Sequence, residues 1–422
     1  MPSISNDYLN RLHELIIAHF NINELQELAF ELGIDYETIA GTEKNSKTRE
    51  FILFCSRRDL VEELITKLKD ARPTIDWPSL HYESRVDIPI HRENPFLVGS
   101  AVHSEFFIGR SAIIEAIKSR VGHYAGLQSL SLVSNRRMGK TSLLKYIHKN
   151  YKTFFGSEHT YATVYIDASD ADAYTNADIM ALLRENIKVQ TGLELWEEKN
   201  DGKLYFLSRG FKKLANTQDI RLVLLLDEWE GVMTHPEVDK LLKALRANGS
   251  QGNIGMITAT RRSLFELCIQ GKLTSNFYNI FSQQYLNNFL DEEWENLVKE
   301  YYARSDHVPH WRDLSLIGEL AGGHPHLTQL AGSLVWQAEQ QQWNETQVRQ
   351  VFYDEASKMV FYDIWRHLDE GQIQAIKNSL SIPPFQEVPE SVVVELKARG
   401  ILSHTGEVFC SPFAQYIKQE GI

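Results

Sequence analysis

Ser134-Asn135-Arg136-Arg137-Met138-Gly139-Lys140-Thr141-Ser142 decides how this chain is read. It follows an alternating, β-prone run, Leu130-Ser131-Leu132-Val133, and precedes a helical pattern, Leu143-Leu144-Lys145-Tyr146-Ile147. A strand, a Gly-Lys-Thr loop and a helix in that order make a phosphate cradle, because backbone N–H groups and a helix N-terminus face the anion. The pattern assigns Asn135, Arg136, Arg137, Met138, Gly139, Lys140, Thr141 and Ser142 to the phosphates of a nucleotide. Lys140 is expected to neutralise the β- and γ-phosphates, and the Thr141 hydroxyl to ligate Mg²⁺. Such loops usually begin with glycine. Here Ser134 takes that place, and a small residue can serve at the turn out of the strand.

A second motif completes the first. Arg221-Leu222-Val223-Leu224-Leu225-Leu226-Asp227-Glu228 is an apolar run ending in two carboxylates. An uninterrupted run of this kind predicts a central parallel strand buried on both faces. Asp227 at its end is expected to hold Mg²⁺ through water, and Glu228 to polarise the attacking water. The two motifs stand in the right order, about 90 residues apart, for a P-loop NTPase that takes ATP or ADP with Mg²⁺. Further predicted strands are Ala162–Asp167 and the run from Ile254 into Arg261-Arg262. They alternate with predicted helices near Ala177–Gln190, Leu204–Ala215 and Val238–Ala247, which predicts a parallel sheet with helices on both faces. Ligands then bind at the C-terminal ends of the strands.

The chain has 422 residues, 43% hydrophobic and 24% charged, with a formal net charge of −12. The length suits two or three domains, and the acidic balance argues against a dedicated nucleic-acid binder. Three cysteines, Cys55, Cys268 and Cys410, are too far apart for a metal motif or a disulfide framework, which suits a reducing cytoplasm. No run reaches the ~18 apolar residues of a membrane helix, so no membrane partner is expected.

Residues 1–72 read as short helices. Tyr8, Leu9, Leu12, Leu15, Ile16 and Phe20 recur at helical spacing, and Asn23 with Gln26 reads as a capping box for the next helix. Further helices are expected from Ser46 and from Asp59, and Pro73 ends the run. The segment from His19-Phe20-Asn21-Ile22 to Gly33-Ile34-Asp35-Tyr36, with Lys47-Thr48-Arg49-Glu50 and Cys55-Ser56-Arg57-Arg58, resembles bacterial effector-associated, death-like domains. That resemblance implies an adaptor that recruits an effector protein through a like domain. Pro73, Pro78, Pro89 and Pro95 space a linker over residues 73–104, with Trp77 and Tyr82 as anchors.

Asn94-Pro95-Phe96 followed by Phe106-Phe107-Ile108-Gly109-Arg110 looks like the lead-in of STAND ATPases, signalling NTPases related to AAA+ proteins. The resemblance implies that Ile108, Gly109 and Arg110 lie on the adenine side. It also implies that Thr260-Arg261 holds the arginine that reads the γ-phosphate, although register alone leaves Arg261 and Arg262 both open. Gly322-Gly323-His324-Pro325-His326-Leu327 resembles the lid motif whose proline, here Pro325, packs near the adenine. Beyond it, helices over Ile373–Leu380 and Glu390–Arg399, a two-stranded wing of Ile401-Leu402-Ser403 and Val408-Phe409-Cys410 with a tight turn at Thr405-Gly406, and a helix from Ser411 read as a winged helix. Its candidate recognition helix begins apolar and acidic, which suits a structural part better than a DNA reader. No internal repeat follows, whereas STAND proteins usually end in a sensing array.

The expected fold is therefore multidomain, α and α/β: a death-like helical bundle over residues 1–72, a linker over 73–104, a P-loop parallel-sheet ATPase core over 105–289, a helical lid over 290–370 and a winged helix over 371–422. The resemblance implies a cytoplasmic switch with slow ATP hydrolysis. It would form a homo-oligomer in the ATP state, recruit an effector through its N-terminal domain, and belong to systems that often serve antiphage defence. Two alternatives remain open: a DNA-associated AAA+ ATPase of the origin-loading or transposition-helper type, and a non-hydrolysing nucleotide-bound scaffold.

Overall fold

Apolar runs too continuous for a half-exposed surface dictate the central layer. In the computed structural model the chain forms two units, residues 1–91 and 92–422. The structure describes residues 3–4, 6–36, 39, 44–57, 60–78, 82–83, 93–123, 126–156, 160–169, 175–233, 235–305 and 307–420.

The first unit is helical. A short strand β1 (Ser3–Ile4) precedes α1 (Asn6–His19), α2 (Ile22–Glu31), α3 (Lys44–Arg57) and α4 (Val61–Ala71), and β2 (Tyr82–Glu83) pairs antiparallel with β1. Leu12, Ile16, Leu25, Ala29, Phe51, Leu64 and Leu68 make its core. The cap of α2 lies two residues earlier than the expected Asn23. The Asn21 side chain accepts from the Glu24 N–H at 3.0 Å, and Glu24 accepts from the Asn21 N–H at 2.8 Å. Glu24 wins over Gln26 because its second oxygen also takes the Arg72 guanidinium at 2.6 Å. The third helix begins at Lys44 rather than Ser46, while Asp59 and Arg58 lie outside the described residues. Trp77 is buried, lies 6.2 Å from the Phe20 ring and donates its indole N–H to the Arg72 carbonyl at 3.0 Å. Pro89 lies outside the described residues.

In the second unit, α5 (Ser111–Val121) leads into β3 (Ser129–Val133) and α6 (Lys140–Phe154). Then come β4 (Thr160–Asp167), α7 (Asn176–Thr191), α8 (Leu204–Thr217), β5 (Ile220–Asp227), α9 (Glu230–Met233), α10 (Asp239–Ser250), β6 (Ile254–Thr260), α11 (Leu264–Gln270) and β7 (Phe281–Tyr285). The five strands pair in the order β4-β5-β6-β3-β7, all parallel. Alternation along β5 divides its apolar residues between two cores, as a period of two requires. Val223 and Leu225 pack with Leu130, Leu132 and Ile257 under Leu143 and Leu144 of α6. Leu222, Leu224 and Leu226 face the opposite way, onto α7, α8 and α10 through Ile179, Phe211 and Leu241.

The rest of this unit is helical: α12 (Asp291–Ala303), α13 (Trp311–Ala321), α14 (Pro325–Gln341), α15 (Glu345–Ala356), a π-helical turn over Ser357–Phe361, α16 (Tyr362–Trp365), α17 (Glu370–Ser379), α18 (Glu390–Ala398) and α19 (Ser411–Glu420). One hydrophobic cluster runs through it from Trp294 to Ile417. Phe96, expected in the lead-in to the core, belongs to this cluster and stacks on Tyr301 at 5.4 Å. Where a two-stranded wing was expected there is one antiparallel bridge, Leu402↔Val408, flanked by hydrogen bonds from the Ser403 N–H to the Glu407 carbonyl at 2.7 Å and from the Phe409 N–H to the Ile401 carbonyl at 3.2 Å. Among the described residues no helix is long and apolar enough to cross a membrane.

Candidate functional site

The sheet order sets adjacent strand tips side by side, and the site is built on them. β3 lies between β6 and β7, with Val133 opposite Thr260 and Tyr285, and β5 lies between β4 and β6. After Val133 the loop turns at Ser134, which is fully buried and donates its hydroxyl to the Asn135 carbonyl at 3.2 Å. Ser134 is not among the residues with positive φ, so this turn does not need the usual glycine. Gly139 does need its freedom, with φ +88° immediately before α6.

Lys140 is buried at the start of α6. Its ammonium donates to the Ser134 and Asn135 carbonyls at 2.8 and 2.9 Å. Burial lowers its pKa, opposed by the charges of Glu228, Glu230 and Asp227. At the tip of β5 the Asp227 side chain is almost completely buried and accepts the Tyr165 hydroxyl at 2.8 Å. Burial raises the Asp227 pKa, while hydrogen bonds from Thr141 and Tyr165 work against the rise. Glu228 stands next to it at φ +47°, its pKa raised by burial and then by Glu230.

These parts surround a cavity of about 600 Å³. Arg136, Arg137, Met138, Gly139, Lys140, Thr141 and Ser142 line one side, and Glu228, Glu230 and Arg261 line another. Ile108, Arg110 and Pro325 close the apolar end with Phe289 and Leu297. Gly109, Asn135 and Asp227 are not on the wall itself. The Arg110 guanidinium is engaged within the protein: it donates to the Met138 carbonyl at 2.9 Å and to the Asn287 carbonyl, and lies 4.4 Å from the Phe289 ring. It therefore braces the loop against the segment after β7. β6 ends at Thr260, one residue before the pair whose register was open. Arg261 lines the cavity and gives its Nε–H to Glu230 at 2.8 Å, whereas Arg262 is turned away toward Gln270.

Four participants were not anticipated from the sequence. Arg399 at the end of α18 donates to the Asn135 side chain at 2.6 Å, Asp363 of α16 pairs with Arg136 at 3.8 Å, and His326 meets Arg137 at 3.0 Å. Glu230 is the fourth. The Asp227-Glu228-Trp229-Glu230 spacing could have shown Glu230, since a buried Trp229 sends its neighbours to the opposite side. Arg399 and Asp363 carry no local signal, because their partners lie more than two hundred residues away in sequence.

The donor set suits a nucleoside polyphosphate with a hard cation. A buried ammonium and the amide-rich start of a helix suit phosphate oxygens. A hydroxyl and a carboxylate, Thr141 and Asp227, suit Mg²⁺ completed by phosphate and water. Fold and site together define a P-loop ATPase of the AAA-like kind.

The chain belongs to the AAA-like domain family, which it matches over residues 98–409. Residues 12–73 match effector-associated domain 7. Among solved structures, the Walker-type ATPase of Pyrococcus abyssi is similar at 13% identity, with a TM-score of 0.53, covering 77% of this chain and 99% of that one. The ORC2 protein of Aeropyrum pernix, solved in ADPNP-ADP complexes, matches at 16% identity and a TM-score of 0.47, covering 73% and 91%. At such identity the likeness concerns the fold. No curated protein matches the chain.

Proposed function

We propose that the chain is an ATP-dependent switch of the STAND kind. The observation that carries this reading is that three consecutive loop residues are each gripped by a different C-terminal element. Asn135 is held by Arg399, Arg136 by Asp363 and Arg137 by His326. A phosphate that reshapes this loop therefore acts directly on the hold of α14, α16 and α18. Lys140 and Thr141 bind the phosphates, Asp227 supports the cation, and Glu228 orients and deprotonates water for slow hydrolysis. Mg²⁺, when bound, neutralises charge on the phosphates. The ADP form is closed and monomeric. The ATP form loosens the grip and oligomerises, and the clustered effector-associated domains recruit a protein carrying a like domain.

The position of α18 supports a structural role for that helix over DNA reading. Arg399 faces the loop and Lys397 donates to the His404 carbonyl at 2.9 Å, so both cations of its last turn are engaged inside the chain. The test is calorimetric titration of the purified chain with ADP and with a non-hydrolysable ATP analogue, with and without Mg²⁺. Saturable binding that Mg²⁺ strengthens is expected. No binding of either nucleotide would overturn the reading.

A further inference from the structure

We infer that Glu230 is a positioning residue that aims Arg261 at the terminal phosphate, so that this pair sets the preference between ATP and ADP. The inference rests on the nucleotide reading given above.

Its basis is the geometry of the turn after β5. Trp229 is fully buried in the core, and its backbone N–H bonds the Ala259 carbonyl of β6 at 3.3 Å. With Trp229 fixed and Glu228 in the left-handed region, Glu228 and Glu230 both come to line the cavity. Arg261 follows β6, the strand paired with β5 through Leu226↔Thr258, so the pair bridges two adjacent strand tips. Glu230 takes the inner edge of the guanidinium, its Nε–H, at 2.8 Å. That grip leaves the two terminal nitrogens of Arg261 without a hydrogen-bond partner among the described residues. A guanidinium held by Nε offers its fork to a phosphate, the geometry in which arginine binds anions best.

The charges favour the same arrangement. Of the cations on the cavity wall, Arg110, Arg136, Arg137 and Lys140 have partners elsewhere, and Arg261 is the one that Glu230 holds. The second oxygen of Glu230 is buried with no hydrogen-bond partner. The bond from the Arg261 Nε–H to the other oxygen is therefore what fixes the geometry of the pair. A tie between strands with no part in binding would not need to stand on the cavity wall, as Arg261 does.

The test uses the full chain and compares wild type with Glu230→Ala, Glu230→Gln, Arg261→Ala and the double variant Glu230→Ala/Arg261→Ala. Affinities for ADP and for a non-hydrolysable ATP analogue with Mg²⁺ are read for each, with urea midpoints as the folding control. Glu230→Ala is expected to cut the ratio of ATP-analogue to ADP affinity about tenfold, leaving ADP within about twofold. Glu230→Gln, which keeps an acceptor for Nε–H, should recover part of that ratio. In the Arg261→Ala background, removing Glu230 should change nothing more. Equal weakening of both nucleotides, or an effect of Glu230→Ala that persists without Arg261, would overturn the inference and leave the nucleotide site standing. Wild-type chain that binds neither nucleotide would overturn both.

Discussion

Lys140 donates to the Ser134 and Asn135 carbonyls of its own loop, so an incoming phosphate must replace those acceptors. Lys140→Ala should weaken ATP binding about 10- to 100-fold, the worth of a charged hydrogen bond, as read by calorimetry. Glu228→Gln should bind ATP as wild type does and lose about 100-fold or more of turnover in a phosphate-release assay. Two neighbouring imidazoles add a pH dependence to stability. Burial takes His324 down to about 3, and burial with Arg137 takes His326 down to about 4. Both folded values lie below the unfolded one, so between these limits the unfolded chain binds more protons and stability falls as pH falls. At pH 5 each neutral imidazole costs about 2 kcal/mol. Melting curves at pH 7.5 and 5 should therefore separate more in wild type than in His326→Gln. A gap of the same size in both would contradict this.

At the scale of elements, local patterns were legible and edges were not. β3, α6 and β5 were readable because each carries its own signal: a Gly-Lys-Thr turn between strand and helix, or an apolar run buried on both faces. β7 was missed because Phe281-Ser282-Gln283-Gln284-Tyr285 forms an edge strand with no fully buried residue, so its composition reads as loop. The α2 cap was misplaced because Asn21 and Asn23 look alike in sequence, and only the reach of Glu24 to both Asn21 and Arg72 separates them. Asn21→Ala should lower the stability of this unit by about 1 kcal/mol in urea unfolding, with Asn23→Ala near neutral. Equal effects would mean that the cap is elsewhere. In the sheet, Leu224→Ala removes a fully buried side chain from the central strand and should cost about 2–5 kcal/mol by the same method.

At the scale of the whole molecule, the site is assembled from parts that sequence order does not relate. The loop, the two carboxylates and Arg261 could be found because each closes a strand of one sheet. The grip on the loop could not, since it joins residues 135–137 to His326, Asp363 and Arg399 through the packing of the C-terminal helices. In the switch we propose, that grip is what the nucleotide acts on. Asp363 also holds Arg366 at 2.9 Å, so Asp363→Ala frees two arginines at once. It should speed release of a fluorescent ADP several-fold in stopped flow while leaving Mg²⁺ dependence intact. An unchanged release rate would separate the contact from nucleotide exchange.

The central claim is that nucleotide state controls assembly. The most direct measurement is molar mass by light scattering on the purified chain, in ADP and then in a non-hydrolysable ATP analogue with Mg²⁺. A monomer near 48.6 kDa is expected in ADP and a defined larger species in the analogue. The same mass in both states, with binding of both nucleotides verified, would contradict it.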